Sequence, residues 1–360
     1  MSTSPDTSYP ADDDGASGDE GTWVPDVLGE PWRARTLSLR PDGCGTPVAT
    51  LVRHRAGPTD RRRHPEAAVL YLHGFADYFF QAEHGAAWAA RGYHFYALDL
   101  RDHGRSIGTG RRPGWSNGIG VHAEEITAAV RTIHATGVAQ VVLVGHSTGA
   151  LMAALYADRN PALIDAVVLN SPWFDLNRPA PARRLLRPLV RILGRVAPHL
   201  VVSTLDEGYG RSVHAESDGE FDYNLHWKPL AAFPVRAGWL ASVVRAQHRV
   251  RRGLDITAPV LVCTSGASGH PTRPSPEDLA RTDAVLKVED MTRSAPLLGT
   301  HVRVHQFEGG RHDLALSAEP VRTEYTQAVL DWTDDQLRRP RWTRSPPQRT
   351  VRDGRGSVRR

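Results

Sequence analysis

The chain has 360 residues, with 44 Lys+Arg against 40 Asp+Glu and a formal net charge of +4, enough for one large α/β domain with an insertion or for two small domains. Two cysteines, Cys44 and Cys263, cannot build a disulfide framework, and their spacing suggests no metal site; reduced thiols in the cytoplasm are the simple reading. No apolar run approaches the ~18 residues of a membrane span and residues 1–20 lack a signal peptide's apolar region, which excludes stable membrane insertion. In chain order, residues 1–24 carry Asp12-Asp13-Asp14 among Ser, Gly and Pro and read as a disordered acidic segment. Residues 35–39 and 48–54 are strand-like and predict an antiparallel sheet edge. Short apolar runs at 67–72, 93–98, 140–144, 166–169, 259–263 and 302–307 have the length of buried strands. Between them, 81–91, 121–136, 148–159 and 322–338 show apolar residues at helical spacing.

This alternation predicts an α/β fold: a mostly parallel central sheet with helices on both faces. One stretch breaks it. From 171 to 254 no buried strand is evident, while 182–196 and 233–252 look helical, so 171–254 reads as a helical cap inserted between two halves of a core, 25–170 and 255–338. Residues 339–360 concentrate arginine and read as a disordered basic tail, solvated rather than bound to nucleic acid. Nearly all positive charge in the chain is arginine, since Lys228 and Lys287 are its only lysines.

The chemistry-bearing segments fall at strand ends. Ser147, in Gly145-His146-Ser147-Thr148-Gly149, stands between a predicted buried strand and a predicted helix. A serine on such a sharp turn exposes its hydroxyl at the sheet's C-terminal edge, and the glycines let strand and helix approach without Cβ clashes. The backbone N–H of Thr148 then lies at a helix N-terminus, where the dipole favours a developing oxyanion. His73-Gly74-Phe75 ends another strand and offers the N–H of Phe75 as a second oxyanion donor, with His73 in a structural role. In the polar loop Asp99–Ser106, Asp99 and Arg101 are expected to form an ion pair that fixes the loop.

A nucleophilic serine needs a base. His312, in Gly309-Gly310-Arg311-His312-Asp313, follows a late strand on a glycine-loosened loop and suits the role better than His301 or His305. The base needs an orienting carboxylate, and the order nucleophile, acid, histidine leaves Glu277, Asp278, Asp283, Glu289 and Asp290. Asp283 is preferred because an apolar pair follows it, whereas Glu289 and Asp290 look like first-turn helix acids.

These segments together resemble the α/β-hydrolases of the monoacylglycerol lipase and lysophospholipase type, also grouped with serine aminopeptidases, over residues 32–337. The segment 265–281 is longer and richer in Pro and Gly than is usual there. The resemblance implies Ser147 as nucleophile, Asp283 as acid, His312 as base and the amides of Phe75 and Thr148 as oxyanion donors. It also implies hydrolysis of a small lipid-like ester without metal or organic cofactor. The aromatic run Tyr78-Phe79-Phe80 is a candidate for an apolar acyl pocket. Three alternatives use the same framework: an amide-cleaving aminopeptidase with Glu207, Glu216, Asp218 and Glu220 holding the substrate amine, an acyltransferase, or an inactive binding protein. Oligomeric state is left open.

Overall fold

The computed structural model describes residues 22–54, 64, 66–116, 118–270 and 272–338. The basic segment 339–360 and most of the acidic segment 1–24 lie outside the described residues.

The strands are β1 (Val24–Pro25), β2 (Trp32–Ser38), β3 (Val48–His54), β4 (Ala67–Leu72), β5 (His94–Asp99), β6 (Gln140–His146), β7 (Ala166–Asn170), β8 (Val201–Ser203), β9 (Val235–Arg236), β10 (Val260–Ser265) and β11 (Val302–Phe307). The helices are α1 (Ala82–Arg91), α2 (His122–Ala135), α3 (Thr148–Arg159), α4 (Ala180–Val196), α5 (Gly208–Val213), α6 (Ala237–Arg251), α7 (Pro276–Arg281), α8 (Val288–Ser294) and α9 (Val321–Leu337). Among the described residues nine strands form one sheet in the order β1-β2-β3-β5-β4-β6-β7-β10-β11. Pairing is antiparallel from β1 to β5 and parallel from β5 to β11.

Burial follows from this order. Every residue of β4, β7 and β10 is buried, because parallel strands joined by crossover helices are covered on both faces. One apolar layer joins Leu70, Leu143 and Val167 to Ile126 and Leu151; the other joins Val69, Val144 and Leu261 to Trp88 and Val329. Cys263 lies in the second layer, and burial pushes its thiol up, while Cys44 is exposed.

β11 departs from the sequence reading. Its run was expected to be buried, yet only Phe307 is. As the last strand it has a neighbour on one side only, and its polar residues Arg303, His305 and Gln306 suit an edge.

The order also places the site. From β4 the chain first adds β5 on one side, then crosses to β6 on the other. Such a reversal opens a crevice at the carboxyl ends of the two central strands. His73 and Ser147 follow those ends directly.

Between β7 and β10 the chain forms α4, α5, α6 and a small two-stranded sheet of β8 and β9. That pair was not anticipated, since three and two residues are too few for a periodic signal. Among the described residues no helix is long and apolar enough to cross a membrane.

Candidate active site

Ser147 sits at the junction of β6 and α3 with φ 53° and ψ −112°, a backbone conformation that costs about 1–3 kcal/mol in a non-glycine residue. Its neighbours hold it there. The Ser147 N–H donates to Asn170 O at 2.9 Å, and its carbonyl accepts from Trp173 N and Leu151 N, both at 3.2 Å. The two flanking glycines are steric requirements. A Cβ on Gly145 would stand 2.6 Å from Gly149 O, and one on Gly149 would stand 2.4 Å from both His73 O and Leu72 O. Those are buried backbone atoms of α3 and of the end of β4, and they cannot give way.

The structure brings Ser147, His312 and Asp283 into one line. His312 Nε2 lies 3.1 Å from Ser147 Oγ, and His312 Nδ1 lies 2.9 Å from Asp283 Oδ2. With Nδ1–H donating to the carboxylate, Nε2 is left to accept the hydroxyl proton. The other carboxylate oxygen of Asp283 accepts from Val285 N at 3.0 Å and Leu286 N at 2.7 Å. Asp283 is buried, but both oxygens are occupied.

The competing acids are engaged elsewhere. Asp278 closes a capping box with Ser275, Glu289 accepts from Ser268 Oγ, and Asp290 holds Arg183 at 2.7 Å. Glu277 is exposed in the first turn of α7.

The two oxyanion candidates flank the serine. Thr148 is the first residue of α3. Phe75 follows Gly74, whose backbone passes so close that a Cβ there would lie 3.4 Å from Ser147 Cβ. The Phe75 ring packs on Trp239 of α6 with centroids 4.2 Å apart, and Trp239 packs in turn on Trp173 at 5.8 Å. Phe75, Trp239 and Trp173 thus form one aromatic wall. Tyr78, Phe79 and Phe80 lie deeper: Phe79 joins the second core layer, and Tyr78 and Phe80 pack with Val213, Tyr223 and Leu316.

His73 proves to be scaffolding. Its Nε2 accepts the Leu100 N–H at 3.0 Å, its Nδ1 donates to Gly74 O at 2.8 Å, and burial holds its pKa below the usual value. Burial also lowers His146, whose ring centroid is 4.8 Å from that of His312.

The expected Asp99–Arg101 pair is not formed. The turn at Gly104–Ser106 folds Arg105 back, so that its N–H and guanidinium reach Asp99 at 3.0 and 2.8 Å. Arg101 instead meets Glu125 and Glu124 on α2, where two carboxylates outbid one.

Sequence reasoning missed the support beneath the histidine loop. Buried Asp313 accepts from Asn170 Nδ2 at 2.8 Å, Gln81 Nε2 at 3.0 Å and Ala315 N at 3.1 Å, tying the loop to β7 and to the start of α1. Its position directly after His312 was the available signal. Also missed was Lys228, which donates to buried Asp77 at 2.7 Å. Burial opposes the charge on Asp77, but Lys228 outweighs it and lowers the pKa. Among the described residues no group of three His, Cys, Asp or Glu could hold a metal ion.

Comparison with known proteins bears on the family and the fold. The family model for serine aminopeptidase, S33, matches residues 63–319, more than half of the chain. Among solved structures, the chain resembles a monoacylglycerol lipase from Paleococcus ferrophilus (22% identity, TM-score 0.54, 76% of this chain and 97% of that one). It also resembles a soluble variant of monoglyceride lipase from Saccharomyces cerevisiae in complex with a substrate analog (14%, TM-score 0.59, 83% and 94%). A carboxyl esterase from Bacillus coagulans in complex with glycerol is similar in the same way (16%, TM-score 0.57, 84% and 99%). At these identities the likeness is one of fold. No curated protein matches the chain.

Proposed function

The chain belongs to the serine aminopeptidase (S33) family of α/β-hydrolases, and from that membership we propose that it cleaves carboxylic esters of the monoacylglycerol or lysophospholipid type. The observation that carries this reading is the relay Ser147–His312–Asp283, with contacts of 3.1 and 2.9 Å.

In this mechanism His312 Nε2 takes the hydroxyl proton as Ser147 Oγ attacks the ester carbonyl. The amides of Phe75 and Thr148 receive the oxyanion, in the low-dielectric surroundings where such bonds count most. Asp283 stabilises the imidazolium without itself being protonated. The alkoxide leaves with the proton from His312, and water activated by the same imidazole then hydrolyses the acyl-enzyme. Residues 171–254 act as the cap, and the aromatic wall of Phe75, Trp239 and Trp173 receives the acyl chain. The cytoplasm is the proposed compartment, supported by two cysteines that are both free.

Ester cleavage is favoured over release of N-terminal residues because, among the described residues, the candidate carboxylates for the substrate amine are solvent-exposed or already paired. Glu207, Glu216, Asp218 and Glu220 are all exposed, and Asp77, on the loop after β4, is taken by Lys228.

The test is a series of p-nitrophenyl acyl esters set beside aminoacyl amides, with a fluorophosphonate probe locating the reactive serine. Ser147→Ala should lose the probe and about 10⁶-fold in kcat, and Asp283→Asn should lose about 10⁴-fold. Full residual activity in Ser147→Ala would sink the assignment, and aminoacyl amides cleaved faster than any ester would make the enzyme a peptidase.

A further inference from the structure

Helix α4 reads Ala-Pro-Ala-Arg-Arg-Leu-Leu-Arg-Pro-Leu-Val-Arg-Ile-Leu-Gly-Arg-Val, with five arginines and no acid. Its inner side is accounted for. Val190 packs with Leu176, Ala241 and Val244, and Gly194 lets the helix approach α6 so closely that a Cβ there would meet Ala241 Cβ at 2.4 Å. Its outer side is not. Leu185, Leu189, Ile192 and Val196 are 76%, 50%, 59% and 73% exposed. Their spacing of four, three and four residues puts them in one stripe along the helix. Just after the helix, Leu200 and Val201 are also open, 49% and 44% exposed.

Charge flanks the stripe with a single sign. Arg183 and Arg187 are held by Asp175, and Arg183 also by Asp290. Arg184, Arg191 and Arg195 are exposed and have no carboxylate partner among the described residues. Arg191 and Arg195, with Pro188, Ile192 and Arg245 of α6, line a crevice of about 250 Å³. Arg245 also borders a neighbouring groove of about 400 Å³, together with Arg159 and Arg249. His248, between them on α6, has its pKa lowered by burial first and then by Arg251, Arg252, Arg191 and Arg187.

We infer that α4 is a docking surface for an anionic lipid bilayer, lying in the interface with Leu185, Leu189, Ile192 and Val196 among the acyl chains and Arg191, Arg195 and Arg245 on the headgroup phosphates. A cationic helix with a continuous apolar face and a low mean hydropathy is the form that partitions into such an interface without spanning it. The arginine crevice supplies forked donors for phosphate oxygens at the level where headgroups would lie. A second copy of the chain fits worse. Pairing two such stripes would bring unneutralised arginine rows against each other, whereas an anionic surface relieves that repulsion.

The inference goes beyond ester cleavage and is tested without it. The full chain is sedimented with vesicles of phosphatidylcholine alone and with vesicles containing three parts phosphatidylglycerol to seven of phosphatidylcholine. Partition onto the anionic vesicles should exceed that onto the neutral ones by about tenfold or more and fall steeply at high salt. Arg191→Glu/Arg195→Glu/Arg245→Glu should weaken anionic binding by roughly a hundredfold, about fivefold per arginine. Leu189→Ser/Ile192→Ser should weaken binding to both vesicle types. All these side chains are exposed, so an unchanged melting temperature in each variant would show that the fold is intact. Equal partition onto both vesicle types would overturn the inference, as would anionic binding that survives the arginine replacements, since another basic segment would then be carrying it. A dimer in sedimentation velocity that Leu189→Ser/Ile192→Ser dissolves would also overturn it, in favour of a second copy.

Discussion

Arg101, Arg105 and Arg111 in the segment after β5, and Arg184, Arg191 and Arg195 on α4, are the same residue put to opposite use. Each of the first three meets at least one carboxylate from elsewhere in the fold: Arg101 meets Glu124 and Glu125, Arg105 meets Asp26 as well as the nearby Asp99, and Arg111 meets Asp42 as well as the nearby Asp102. The second three meet none among the described residues. What separates them is the local supply of acid. In the first region each guanidinium is desolvated and paired, so it fixes the loop that runs under the strand ends. In the second it stays hydrated and available. An arginine-rich sequence therefore says nothing about partners until the carboxylates are located in space.

The contrast can be broken at its strongest point by Glu125→Gln. Burial would raise the pKa of Glu125, but His122 and Arg101 outweigh it and hold the carboxyl at about 2, against an ordinary 4.5. A depressed folded-state pKa contributes stability that is present above the unfolded value and lost as pH falls through the folded one. The protein should therefore lose stability between about pH 4.5 and pH 2, with this carboxyl as one cause. Glu125→Gln should cost about 3 kcal/mol at pH 7 and flatten that acid limb, as read by urea unfolding at several pH values. Next in size is Arg105→Lys. The guanidinium spans Asp26 at 2.6 Å and Asp99 at 2.8 Å and also donates to Phe79 O at 2.9 Å. An ammonium cannot reproduce that fork, and a loss of about 2 kcal/mol in unfolding free energy, read by urea denaturation, is expected. The smallest effect belongs to α4: Arg191→Gln should leave stability within about 0.5 kcal/mol, because nothing folded depends on it. A large loss there would erase the distinction between the two regions.

Much of the fold was legible because burial on both faces leaves a simple mark. β4, β6, β7 and β10 are short, apolar and bounded by turn residues. Ser147 was legible for a related reason, since the glycines at 145 and 149 are demanded by backbone contacts of 2.6 and 2.4 Å. The acid was less so. Five carboxylates satisfied the chain order, and only the fold of the loop brings Asp283, rather than Glu289 or Asp290, to His312 Nδ1. The Asp99–Arg101 expectation failed because sequence proximity does not tell which way two side chains leave a turn. The open stripe on α4 was hidden differently. Helical spacing reveals that a face is apolar, but not whether anything packs against it.

The burial of Cys263 also bears on how the molecule can be observed. A buried thiol with its pKa pushed up is slow towards maleimides, whereas exposed Cys44 is open to them. The native chain thus offers one address for a fluorophore or spin label, on the turn between β2 and β3, with no cysteine added or removed.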